Sequence, residues 1–201
     1  MVTETNIEET LRSAREAYRF LHEFQKRLRD TIERFKQEFP GHVYCASGPI
    51  YTEKPSFQKS PHHSDKWALD LFPAFAYSMQ YQKQEKGDRS SLLEICFYCD
   101  DEFEAEEDAL PAERQNSKTK IKVYLWIKDK ELAEPFKWRD EWYQTDDYPN
   151  LGEVDEYPKM EMKVMGLELD FHKLGDEQGI VEEASRVKAE LKKHLNYLPS
   201  A

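Results

Sequence analysis

Apolar residues recur at alternating steps of four and three through the first forty positions. The series is Ile7, Leu11, Ala14, Tyr18, Leu21, Leu28, Ile32, Phe35 and Phe39, with Gln25 as its polar interruption. This spacing draws a narrow apolar seam along one side of an α-helix. It predicts a helix over 6–39, about 50 Å long at ~1.5 Å per residue. Thr5 with Glu8, and Asn6 with Glu9, match a capping box at its start, and Pro40-Gly41 stops it. A helix longer than a small domain is wide requires a partner surface, in its own chain or another. Phe20 and Phe24 widen the seam beside Gln25. A two-stranded coiled coil has no need of them, so they favour packing across a sheet or bundle for part of the length. An intermolecular helix pair is the alternative.

Beyond the helix the period changes to two. Residues 42–66 read as irregular chain with a short strand near 43–45. Large residues hold the odd positions at Phe75, Tyr77, Met79 and Tyr81, and again at Leu93, Ile95, Phe97 and Cys99. Ile121, Val123, Leu125 and Ile127 face one way, with Lys120, Lys122, Tyr124 and Trp126 opposite. Met160, Met162 and Val164 give way to Leu167, Leu169 and Phe171, a parity switch around Met165-Gly166 that predicts a β-bulge or a tight turn. Segment 84–90 reads as a hairpin turn. A second amphipathic helix over 176–197 carries Ile180, Ala184, Val187, Leu191 and Leu195 and ends before Pro199. No crossover helices separate the strands. The prediction is therefore one α+β domain over 1–201, with an antiparallel meander of about four to five strands within 42–171 and both terminal helices against one face. Two insertions interrupt it, at 100–118 and at 129–157, the latter with a short helix near 130–143. Loops of such length are functional or disordered.

Composition supports a core: of 201 residues 39% are hydrophobic, including eleven Phe, eleven Tyr and four Trp, so a disordered chain is excluded despite 34% charged residues. No apolar run approaches the ~20 residues of a membrane-spanning helix. The start, Met-Val-Thr-Glu-Thr, lacks a secretory pattern. Three cysteines fit a reducing compartment, and a cytoplasmic location is expected. The seven glycines form no phosphate-binding loop.

The net charge of −11 is unevenly placed. Residues 1–40 balance, with eight acids and eight bases, whereas 100–157 carry eighteen acids against eight bases, a net −10. Phosphate repulsion opposes direct binding of nucleic acid there; a basic protein partner or metal ions suit the charge better.

The acidic run 100–108, with Asp101, Glu104, Glu106 and Glu107, has no glycine and so is no EF-hand loop. It reads as a solvated loop or as a docking surface for a basic protein. Trp138, Trp142, Tyr143 and Tyr148 lie among the acids of the second insertion. Aromatic anchors among acids suit recognition of a cationic partner, and packing of the insertion onto the sheet is the plainer reading. His42, Cys45, Cys96 and Cys99 have zinc-ligand spacing. Strand parity nevertheless sends Cys96 and Cys99 to opposite faces, and buried cysteines ordinarily act as small hydrophobes. His62, His63 and Asp65 form the densest cluster suited to metal binding or acid–base chemistry, and equally an ordinary polar loop. Glu161-Met162-Lys163 matches half of a metal-dependent nuclease core, with Asp155 or Asp70 as the second carboxylate.

No motif points to a known family, and no catalytic residue, metal or cofactor is assigned. The expected function is an acidic cytosolic binding module for a basic protein, such as a nucleic-acid-binding protein that it inhibits or recruits. A metal-dependent hydrolase or nuclease is one alternative. A self-assembling subunit, a homodimer through the N-terminal helix, is the other.

Overall fold

The computed structural model describes residues 4–49, 76–84, 89–99, 118–128 and 148–196. Helix α1 (Glu4–Gln37) begins earlier than the capping pattern predicts. Thr5 and Asn6 lie inside it. The helix closes by tightening: the Glu38 N–H donates to Phe35 O at 3.1 Å and the Phe39 N–H to Lys36 O at 2.8 Å. Gly41, at φ 81°, turns the chain into the first strand.

Six strands follow among the described residues: β1 (Val43–Pro49), β2 (Ala76–Gln84), β3 (Ser90–Tyr98), β4 (Lys120–Lys128), β5 (Val154–Tyr157) and β6 (Met162–Leu169). Their order in the sheet is β1-β2-β3-β4-β6-β5, and every neighbouring pair is antiparallel. The antiparallel α+β plan is the one that the periodicity predicts, with more strands. The strand that sequence missed, β5, lies within the second expected insertion. Its short Val-Asp-Glu-Tyr run sits at an edge, where charged residues are usual and alternation is weak.

One face of the sheet carries both helices. Leu28, Ile32 and Phe35 of α1, with Phe39 just beyond its end, pack with Leu93, Ile95, Phe97, Val123, Leu125, Leu167 and Leu169. Helix α2 (Glu177–Leu195) adds Ile180, Ala184, Val187 and Leu191 to the same core. Asp176 caps α2, accepting the Gly179 N–H at 2.8 Å. Buried Glu183 joins α2 to the end of β6: it accepts the Asp170 N–H at 2.9 Å and Arg186 Nη2 at 2.6 Å, while Arg186 also donates to Glu168 O at 2.7 Å. Lys188 reaches Glu38 at 3.1 Å and ties α2 to the end of α1.

The second face is also buried. Leu92, Cys96, Tyr98, Tyr124, Trp126, Met162 and Val164 cluster there. This corrects the reading of β6. Its register runs unbroken from Ile121↔Leu169 to Lys128↔Met162, with neither bulge nor turn. The parity switches because β6 is apolar on both sides: Met165, Leu167 and Leu169 face the helices, while Met162 and Val164 face the second cluster. Gly166 marks the crossing because a Cβ there would lie 2.6 Å from Tyr124 Cδ1 and closer still to Cε1.

Candidate functional site

Two features of the described residues go beyond a plain core. The first is the way α1 divides. From Leu28 onward its seam is buried against the sheet. Phe24 marks the margin, 6.2 Å from the Phe97 ring. Before that point the seam is bare: Ile7 is 49% exposed, Leu11 53%, Tyr18 62% and Phe20 70%. Every residue from 7 to 20 is exposed. Of the two fates that the sequence offers for the helix, core packing holds for its C-terminal half. Over residues 7–20 the helix is amphipathic with its apolar side exposed, and the sheet does not reach it among the described residues. The alternation of four and three identifies the apolar side but not what covers it.

The second feature is a carboxylate inside the sheet. Glu94, on the central strand β3, is 0% exposed. Ser78 Oγ at 2.6 Å, Gln80 Nε2 at 3.0 Å and the Tyr148 hydroxyl at 3.1 Å donate to its Oε1. Trp126 Nε1 donates to Oε2 at 3.1 Å. Register brings these groups together, since Gln80 and Tyr124 are the cross-strand partners of Glu94. The Tyr148 ring lies against Tyr124 at 4.7 Å, and the Cys96 thiol lies 3.5 Å from the Tyr148 hydroxyl. Burial, with Glu94 nearby, pushes the Cys96 thiol well above its ordinary value. Burial, Cys96 and Glu94 do the same to the Tyr148 phenol. Cys45, whose thiol donates to Gln80 O at 3.3 Å, is pushed up to about 11, chiefly by burial. Such thiols stay protonated and make poor nucleophiles near neutral pH. The cluster is suited to holding structure: a carboxylate with four donors fastens Tyr148, where the chain re-enters after 129–147, onto the sheet. No motif announces Glu94. The available signal is one acid in the otherwise uncharged run Ser-Ser-Leu-Leu-Glu-Ile-Cys-Phe-Tyr.

Of the residues singled out from sequence, Tyr148 is thus turned inward. Lys163 lies on the helix side of the sheet, 2.6 Å from Glu156. Glu161 is not on the strand; it occupies a left-handed turn at φ 54° just before β6. Asp155 pairs in register with Val164, so it takes the face opposite Lys163, and these three are not gathered into one site. Cys96 joins the second-face cluster and Cys99 the helix-side core, as parity requires. His42 is buried, its Nδ1 3.3 Å from Phe39 O and its Nε2 3.2 Å from Ser91 Oγ. Among the described residues no three His, Cys, Asp or Glu side chains come together as metal ligands. No helix among them is long and apolar enough to cross a membrane. Asp101, Glu104, Glu106, Glu107, Trp138, Trp142, Tyr143, His62, His63, Asp65 and Asp70 lie outside the described residues, as does the predicted helix near 130–143.

The chain belongs to the PM0109 family, whose model matches residues 4–196, from the first turn of α1 to the residue that ends α2. The family's description names no activity, ligand or partner. No curated protein and no solved structure matches the chain.

Proposed function

We propose that this member of the PM0109 family is a non-catalytic cytoplasmic binding module that engages a basic protein through its two acidic segments. One observation supports the reading: the sheet takes up three of the four lysines that lie between the acids, leaving Lys118 exposed. Lys120 stands 3.9 Å from Glu168, Lys122 lies 4.4 Å above the Tyr98 ring, and Lys128 is buried. The remaining sequence is strongly one-sided, with eight acids to one base in 100–117 and ten acids to three bases in 129–157. Both segments spring from β4. The first returns at its start, where Lys120 pairs with Tyr98, and the second leaves from its end, where Lys128 pairs with Ser90. For two strongly net-negative segments joined through one strand, a cationic surface is the complementary partner.

The test is a binding assay between the full chain and a basic partner recovered from host extract at low salt, repeated across salt concentration. Binding should weaken steeply as the screening length falls to about 10 Å at 0.1 M salt. It should also be lost when Glu104, Glu106 and Glu107 are changed to Gln. Trp138→Ala or Trp142→Ala should cost about 2 kcal/mol or more if these side chains anchor the complex. Salt-insensitive binding, with both tryptophan changes silent, would overturn the proposal. A divalent metal retained through purification and lost on substituting His62, His63 and Asp65 would favour a hydrolase instead.

A further inference from the structure

We infer that the projecting half of α1 pairs with the same segment of a second copy of the chain, the two helices antiparallel. This goes beyond the basic-partner proposal and uses no residue of the acidic segments. An isolated helix shorter than about 12–15 residues is marginal in water. The bare stretch before Phe24 spans a comparable length and still presents Ile7, Leu11 and Tyr18 to solvent. Its apolar residues keep the spacing of four and three that suits one facing helix.

The side chains choose the orientation. In the antiparallel alignment that sets Ile7 opposite Tyr18 of the second copy, Leu11 lies opposite Ala14, so a large residue meets a small one in the central layers. Glu8 and Arg15 flank the seam on the same side, and this alignment places Glu8 beside Arg15 of the second copy, twice by symmetry. A parallel pair would stack Ala14 on Ala14 and Tyr18 on Tyr18, and would set Arg15 beside Thr10 of the second copy, leaving it without an acidic partner across the seam. The antiparallel overlap runs over 4–21, about 27 Å at ~1.5 Å per residue. It stops where Leu21 becomes partly buried and Phe24 meets the sheet.

The experiment is sedimentation equilibrium on the full chain, expected to give twice the 23.9 kDa chain mass. Leu11→Glu with Tyr18→Glu should raise the dimer dissociation constant by at least roughly tenfold. Both residues are exposed in the single chain, so the variant should keep its circular dichroism spectrum and its cooperative unfolding. Glu8→Arg alone should weaken the dimer, and adding Arg15→Glu should restore it. Under mild oxidation, Leu11→Cys mixed with Ala14→Cys should give the mixed disulfide, with little linking of either variant to itself. A mass of one chain at all concentrations, or a dimer indifferent to Leu11→Glu with Tyr18→Glu, would overturn the inference. Self-linking of Leu11→Cys in preference to the mixed product would overturn the orientation.

Discussion

Gly166→Ala should destabilise this protein, although alanine is ordinarily the better residue in a strand. On backbone grounds alone the change removes freedom from the unfolded chain and contributes about 0.4–1 kcal/mol of stability. Here the new methyl would lie 2.6 Å from Tyr124 Cδ1 and 3.1 Å from Leu151 Cδ2. Tyr124 is buried, with Tyr148 against its ring at 4.7 Å. Tyr148 is in turn held by its hydrogen bond to Glu94. Tyr148 therefore opposes retreat of the Tyr124 ring on its side. Overpacking of this kind costs about 1–3 kcal/mol. Stretching or losing the bond to the carboxylate costs a further ~1.5–3 kcal/mol. The net loss is about 2–5 kcal/mol, which for a chain of this size lowers Tm by roughly 5–15 °C. Thermal unfolding of the wild type, Gly166→Ala, Tyr124→Leu and the double variant checks it. The alanine should cost at least about 1 kcal/mol less once Tyr124→Leu has made room. A Gly166→Ala protein as stable as the wild type, or strictly additive effects, would refute the packing argument.

Two further outcomes follow from the buried acids. Glu94→Gln keeps the shape but sets an amide N–H₂ against at least one of the four donors, and should cost about 1–3 kcal/mol in denaturant unfolding. Tyr148→Phe should cost less, and the pair should cost less than the sum of the two; an undiminished stability in Glu94→Gln would show that the donors do not depend on the carboxylate. Burial opposes ionisation of Glu183, but its hydrogen bonds from Arg186 and the Asp170 N–H outweigh this and hold its carboxyl below the usual range. Its stabilising effect is complete above the unfolded-state pKa of about 4.3 and disappears as pH falls through the lower folded value. Glu183→Gln should therefore lower Tm at pH 7, with the gap to the wild type closing as pH falls toward about 3; a gap constant across that range would remove the electrostatic explanation.

Much of this fold is legible as periodicity. Steps of four and three mark α1 and α2, and steps of two mark β2, β3 and β4, because the positions facing the helix-side core are apolar at the pitch of the element. On the other face of β3 and β4, polar residues such as Glu94 and Lys122 interrupt the apolar ones even where that face is buried. The same rule explains the error at β6. In β6 apolar residues fill positions on both faces, Met162 and Val164 on one and Met165, Leu167 and Leu169 on the other, so the change from even to odd positions looked like a bulge. It also explains why β5 was missed, since an edge strand of four residues with two acids has little pattern to show.

The Glu94 cluster was beyond the reach of the sequence for a different reason. Its donors come from β2, β4 and a tyrosine 54 positions away, and only the pairing register gathers them at one carboxylate. The division of α1 was equally hidden. Sequence established by itself that one side of this helix is apolar from Ile7 to Phe39, because side-chain spacing is local. Only the tertiary structure decided that the sheet covers that side from Leu28 onward, meets it partly at Leu21 and Phe24, and leaves it exposed over 7–20. Burial depends on which distant elements reach a surface, and the extent of the sheet is written nowhere in the helix.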